Sequence, residues 1–338
     1  MIRYAERHPI LAAVWVLLAA VLLWAIFAPW PEWLEDAVGA KRIFLNALFN
    51  GITLGALYFL VASGFTLIFG LMRNVNLAHG SLYMLGGYIG YEVATLTGWW
   101  LLSFVVAFVV VAAVGVVLQV AVFRRMEGQD LKQTLVTIGI SVVLADLMLW
   151  TWGGDFYNIE TPLWLTGPVE LPLVTGISRR TGEYLYLNYP VVRLVILIAA
   201  IAIGVAMWLA LNRTRIGMLI RAGVDDREIL AASGVRIQRV FVLVFAFGAG
   251  LAGIAGVIGG TFQSLAPGED IRFLLASLVV VIVGGMGSIP GAALGALLIG
   301  LAEQFGSVYA PTYAIVFTFL IMVLVLAFRP QGLIAMRR

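Results

Sequence analysis

Trp99-Trp-Leu-Leu-Ser-Phe-Val-Val-Ala-Phe-Val-Val-Val-Ala-Ala-Val-Gly-Val-Val-Leu-Gln-Val-Ala-Val-Phe123 runs for 25 residues without a charge. As a helix it would be about 37 Å long, enough to cross a hydrocarbon core of about 30 Å. The pattern recurs along the chain. Apolar runs between charges and Gly/Pro breaks predict helices near 9–30, 44–71, 78–96, 99–123, 132–152, 190–211, 240–260, 272–286, 291–305 and 312–328. Apolar residues make up 62% of the 338 and charged ones 12%, about half the charged share of an average globular protein. A soluble fold of this size needs more polar surface than that. The predicted fold class is an all-α polytopic membrane protein of about ten transmembrane helices. The eighth and ninth runs are short and parted only by Gly287-Ser288-Ile289-Pro290, so eight spans plus a re-entrant hairpin is the alternative.

The basic residues set the orientation. With the N-terminus inside, inner segments carry Arg3, Arg7, Arg73, Arg124, Arg125, Lys132, Arg213, Arg215, Arg221, Arg227, Arg236, Arg239, Arg329, Arg337 and Arg338, 15 of the 21. Outer segments hold Lys41, Arg42, Arg179, Arg180 and Arg272, with Arg193 near an outer helix end. Both termini are therefore expected in the cytoplasm, an external loop at 153–189 and the main cytoplasmic loop at 212–239. The first run follows Arg3 and Arg7 as a signal peptide would. Ala28-Pro29-Trp30 offers no small-x-small cleavage site, and we keep the run as a span.

Composition excludes much chemistry. There are no cysteines, hence no disulfide, thiolate metal site or cysteine nucleophile, and only His8 and His79. No Gly-x-Ser-x-Gly elbow occurs. No Gly-Lys pair occurs either, which removes the phosphate-binding P-loop. No catalytic, cofactor or metal residue is expected. If the chain works uphill, its energy source lies in another chain. The net charge of +3 does not point to nucleic acid.

Six arginines lie in 212–239 against Asp225, Asp226 and Glu228. Asp225 is placed to cap a short helix through Asp226-Arg227-Glu228-Ile229-Leu230-Ala231-Ala232, with Glu228 as in a capping box. Ser233-Gly234 then supplies the stop. Most helix–helix links run about 2–8 residues, so a capped helix inside a connection this long reads as a docking knob for a partner.

Three stretches then converge on a family. They are Asn50-Gly-Ile-Thr-Leu-Gly-Ala-Leu-Tyr58, Gly64-Phe-Thr-Leu-Ile-Phe-Gly70 and Asn76-Leu-Ala-His-Gly-Ser-Leu-Tyr-Met-Leu-Gly-Gly-Tyr88. Arg221-Ala-Gly-Val-Asp-Asp-Arg-Glu228 with Ala232-Ser-Gly-Val235, Val283-Gly-Gly-Met-Gly-Ser-Ile-Pro-Gly291 and Phe328-Arg-Pro-Gln-Gly-Leu333 follow in order. Together these resemble the permease subunits of Liv-type ABC importers for branched-chain amino acids, of the shorter-permease type. The resemblance implies a heteromeric importer in the cytoplasmic (inner) membrane of a prokaryote. Its other parts would be a related second permease or a second copy, cytoplasmic ABC ATPase subunits that bind ATP and Mg, and an extracytoplasmic solute-binding protein. It makes Arg221, Asp225, Asp226, Arg227, Glu228 and Gly234 the ATPase-coupling loop. Residues 1–40 become an extra span and external linker, 41–334 the permease domain and 335–338 a tail. Permeases for urea and short-chain amides share these motifs. A self-contained carrier or channel, and a membrane-embedded enzyme, find less support in the residues.

Candidate residues for a translocation path are few. Asn76, His79 and Ser81, with Asn74, fall where the second predicted span leaves the cytoplasmic face and the third begins. They fit either helix capping or an inner gate. Glu92, Asp146 and Glu303 are the carboxylates within predicted spans, and Asp146, about 21 Å beyond Lys132, is the deepest. Gly284, Gly285 and Gly287 break the eighth and ninth runs, and discontinuous helices at membrane depth line cavities. Gly250, Gly253, Gly256 and Gly259 recur every third residue and read as helix packing alone. The order of spans is compatible with an inverted repeat having span six as connector.

Overall fold

The structure, a computed structural model, describes residues 20–21, 23–28, 30–31, 33–35, 39–72, 75–126, 128–177, 183–225, 230 and 232–334. Ten α-helices of 11 residues or more lie among these residues. They are α1 (Lys41–Met72), α2 (His79–Thr97), α3 (Trp100–Ala121), α4 (Asp130–Trp152), α5 (Val191–Arg213), α6 (Arg215–Asp225), α7 (Ile237–Phe262), α8 (Glu269–Gly284), α9 (Ile289–Tyr309) and α10 (Ala314–Phe328). Seven, namely α1, α3, α4, α5, α7, α9 and, with the turn before it, α10, are long and apolar enough to cross a membrane. The expected first span, 9–30, lies largely outside the described residues.

Two of the shorter helices, α2 with 19 residues and α8 with 16, fall outside the seven. A helix the length of α8 reaches only about 24 Å. Its partner α9, at 21 residues, reaches about 31 Å. The pair is therefore one full-length helix and one short one.

The chain divides into two compact units, residues 1–50 with 167–191, and 51–166 with 192–338. In the smaller unit, strands β1 (Pro168–Ile177) and β2 (Tyr184–Pro190) pair antiparallel, with register shifts on either side of Val174. This corrects the all-α expectation, which took 153–189 as loop. Tyr184-Leu-Tyr-Leu-Asn-Tyr alternates and is rich in β-favouring residues. Its alternation buries Leu187 and Tyr189 on one face. Leu187 packs with Leu45 and Leu173, while the Tyr189 hydroxyl donates to the Phe49 carbonyl at 2.9 Å.

In the larger unit α7 is the central post. Its glycines do what their spacing suggests. A Cβ on Gly253 would lie 2.9 Å from the Ala107 carbonyl, and one on Gly250 would lie 2.6 Å from the Phe108 ring, both on α3. Towards α2, Gly86 abuts the Gly253 backbone and Gly256 abuts the Tyr83 carbonyl. Apolar matter offers no hydrophobic gain between helices in lipid, so close backbone approach supplies dispersion instead. By contrast α3, α4 and α10 turn rows such as Val105/Val109, Leu135/Ile138/Val142 and Ile315/Phe319/Val323 outward. Such bare apolar rows suit acyl chains.

The cytoplasmic loop holds a helix that was not expected, α6 over Arg215–Asp225, ahead of the expected one through 226–232, of which the described residues Leu230 and Ala232 are helical. Arg221 Nη1 donates to the Leu211 carbonyl and ties α6 back on the end of α5. The run Arg215–Val224 is itself amphipathic, which accounts for this additional helix. Residues 226–229, hence Asp226, Arg227 and Glu228, lie outside the described residues. Gly234 has φ of +81°, the left-handed stop expected of it.

Candidate translocation site

The first turn of α2 is built by Asn76. Its Oδ1 accepts the Ala78 N–H at 3.1 Å, and its carbonyl accepts the His79 N–H at 3.2 Å. No side chain caps the helix proper. Just before it, the Leu77 N–H donates to Thr137 Oγ1 at 3.1 Å, and Ser81 Oγ lies 2.9 Å from Ser141 Oγ. Thr137 and Ser141 stand about 10 and 16 Å along α4 from Asp130. The helix thus begins about halfway up its neighbour. Asn76, His79 and Ser81 are together, as expected, but at mid-height where a face was predicted. Residues 75–78 lead into α2 alongside α4, a placement that hydropathy does not register.

His79 is fully buried. Its Nε2–H donates to the Val61 carbonyl at 3.0 Å, within α1, and its ring stands edge-on to Phe65 with centroids 5.4 Å apart. That bond assigns the proton to Nε2, leaving Nδ1 a bare acceptor without a partner. Asn76 Nδ2 is likewise buried without one.

A second helix start meets the first. The Asp270 carbonyl, in the opening turn of α8, occupies the space a Cβ on Gly80 would need, and Ser81 Oγ donates to Asp270 Oδ2 at 3.3 Å. Tyr83 lies tilted against Phe273, with centroids 4.2 Å apart, and Tyr58 lies edge-on to the same ring at 5.8 Å. Helix N-termini carry partial positive charge and orphan N–H groups, so an acidic residue between the two is favourable.

Around this junction lies an ionic cluster. Arg272 donates through Nη1 to Glu269 Oε2 at 3.2 Å and Gln263 Oε1 at 3.3 Å, and through Nη2 to Glu303 Oε1 at 3.0 Å. The Tyr58 hydroxyl donates to Glu303 Oε2 at 2.6 Å. Glu303 is 17% exposed and Arg272 43%. The cluster is anchored on the inside and open on one side.

The remaining candidates lie apart. Asp146 is exposed on α4, among Val142, Val143, Leu149 and Trp150, and does not join the cluster. Its helix turns Ser141 inward and Asp146 outward. Glu92 accepts from Trp152 Nε1 at 2.9 Å, as an interfacial pair. Gly284, Gly285 and Gly287 sit at the far end of α8, about 18 Å from Arg272. There Gly284 abuts the Gly291 backbone, Gly70 approaches Gly287, and Gly285 takes φ of +109° beside Ile334. Backbone fills this break. The Leu333 and Ile334 N–H groups donate to the Val283 and Gly284 carbonyls at 2.9 and 3.0 Å. Tyr58, Thr137, Ser141, Glu269, Asp270 and Arg272 were not anticipated as site residues. Glu269, Asp270 and Arg272 follow Pro267-Gly268 and look like loop charges, although three charges opening an apolar run were a legible signal.

Long apolar helices around a buried polar junction define a polytopic helical membrane protein. The chain belongs to the branched-chain amino acid transport system / permease component family, whose model matches residues 47–326. It is 31% identical over 304 residues to the high-affinity branched-chain amino acid transport system permease protein LivH of Escherichia coli (strain K12), covering 86% of this chain and 95% of that one. It is 30% identical over 303 residues to the corresponding protein BraD of Pseudomonas aeruginosa, with the same two shares. A more distant likeness, 24% over 283 residues and 77% of each chain, is to the ribose import permease protein RbsC of Escherichia coli (strain K12). No solved structure matches the chain.

Proposed function

We propose that this chain is the membrane-spanning permease subunit of an ABC importer that carries branched-chain or related amino acids across the cytoplasmic membrane of a prokaryote. The observation that carries the reading is the likeness to the LivH and BraD permeases over nearly their whole length. On this reading ATP and Mg are bound by cytoplasmic ATPase subunits, a solute-binding protein delivers the amino acid outside, and a second permease or second copy completes the path. The absence of any Gly-Lys pair supports placing nucleotide hydrolysis elsewhere. Both termini and 212–239 face the cytoplasm and 153–189 faces outward. An inverted repeat is supported by order: a long helix followed by a short one starting at mid-height occurs as α1–α2 and again as α7–α8.

A second reading, a permease for an uncharged solute, draws on the likeness to the ribose permease. One experiment tests both. The assembled transporter in liposomes, given leucine, acetamide or ribose, should show ATP-dependent uptake of leucine, and the purified chain alone should hydrolyse no ATP. Uptake of ribose or acetamide but not leucine would overturn the first reading. For the orientation, single cysteines are readily placed in a chain that has none. Glu170→Cys should react with an impermeant maleimide in intact cells and Arg215→Cys only after lysis; the opposite result inverts the topology.

A further inference from the structure

The geometry points to the Arg272–Glu303–Glu269 cluster as the place where the permease holds the zwitterionic head of an α-amino acid. The ammonium goes to the carboxylates, the carboxylate to Arg272, and the aliphatic side chain lies along Leu275. This rests on the permease reading and adds the residues that would choose the solute.

Three observations carry it. The first is charge. Glu269 and Glu303 face the Arg272 guanidinium, and Asp270 lies where the starts of α2 and α8 meet. Each helix start is equivalent to about half a positive charge, so the cluster keeps roughly one negative charge unmatched. At membrane depth such a charge is costly and calls for a cation. A bound ammonium supplies it. The second is vacancy. A guanidinium has five N–H donors; three contacts to Gln263, Glu269 and Glu303 are made, and the side chain is 43% exposed. Those three contacts run through Nη1 and Nη2, so donor capacity is left on this exposed, planar group, the side chain suited to a carboxylate. The third is spacing. An α-amino acid bears both charges on one carbon, so it needs an anion and a cation side by side. Arg272 Nη2 and Glu303 Oε1 are 3.0 Å apart. Arg272 is exposed on one side, so a solute can reach the pair and share its bonds. Leu275, one turn on along the same face of α8, is 45% exposed. Tyr58 fixes Glu303 from behind and Phe273 seats α8 on Tyr83, so the cluster is pre-positioned.

The test uses Leu275→Cys as the sole thiol of the full chain, purified and returned to lipid. Its rate of reaction with a maleimide is read against added solute. Leucine at ten times its dissociation constant should slow labelling about tenfold, the occupancy expected of one site. 4-Methylpentanoate, which lacks the ammonium, 3-methylbutylamine, which lacks the carboxylate, and ribose should each protect at least tenfold more weakly. Adding Arg272→Gln or Glu303→Gln should weaken protection by leucine about tenfold while the unprotected rate, a report on folding, stays the same. Where Arg272→Gln lowers the yield, Arg272→Lys keeps the charge, loses the fork and should still weaken protection. No protection by leucine at any soluble concentration, equal protection by ribose, or protection that survives Arg272→Gln would each overturn the site. Uptake of leucine by the assembled transporter without protection refutes the site and leaves the permease reading standing. Protection without leucine uptake refutes the substrate reading and leaves the site.

Discussion

Gly256→Leu is expected to abolish accumulation of folded protein. A Cβ at this position lands on the Tyr83 backbone carbonyl, and the neighbouring Gly87 N–H lies 2.6 Å away. Backbone cannot rotate aside as a side chain can, so α2 and α7 must part, and parting them also opens the Gly86–Gly253 contact. Overpacking a core commonly costs about 1–3 kcal/mol; here two packed faces are lost at once, against a total stability of about 5–15 kcal/mol. Gly139→Ala on α4 is the control. Nothing lies within 4 Å of its Cβ position, and replacing a helical glycine by alanine should gain about 0.5–1 kcal/mol. The yield of monodisperse protein in detergent and its melting temperature read both variants. A Gly256→Leu chain with wild-type yield and melting would refute the packing.

The second large effect concerns coupling. Arg227→Glu is expected to cut uptake by an order of magnitude or more while the chain inserts normally, at a cost to stability of about 0.5 kcal/mol or less. Its motivation is the Arg221–Glu228 motif, which resembles that of Liv-type permeases and begins within α6. Binding of the solute-binding protein on the other face should persist. Uptake at the wild-type rate, with the variant present in equal amount, would reduce 212–239 to a connector.

How much the sequence disclosed depended on what each pattern encodes. The predicted 99–123, 132–152 and 312–328 match α3, α4 and α10 within two residues at each end, because bare helices in lipid must be apolar along their full length. Depth is not written in hydropathy. The runs at 78–96 and 272–286 gave α2 and α8 their type, but their mid-height starts depend on Leu77–Thr137 and Ser81–Asp270 contacts between distant segments. The hairpin was hidden for another reason: a two-stranded sheet is too short for the alternation of Tyr184–Tyr189 to stand out beside glycines and a proline. Of the site, Asn76, His79, Ser81 and Glu303 were legible as polar residues in apolar surroundings. Arg272 was not, since a charge next to Pro267-Gly268 resembles any loop charge until the fold carries it inward.

The C-terminal segment has a practical bearing. Helices leave their last carbonyls unpaired, and α8 has two of these, Val283 and Gly284, answered by Leu333 and Ile334. A chain cut after Pro330 would strip both partners from the hinge between α8 and α9 and let the end of α8 fray. Affinity tags and reporter fusions therefore belong beyond Ile334, behind a flexible spacer, and a tag that replaces Gln331–Ile334 should lower the melting temperature even though it touches neither the ionic cluster nor the cytoplasmic loop.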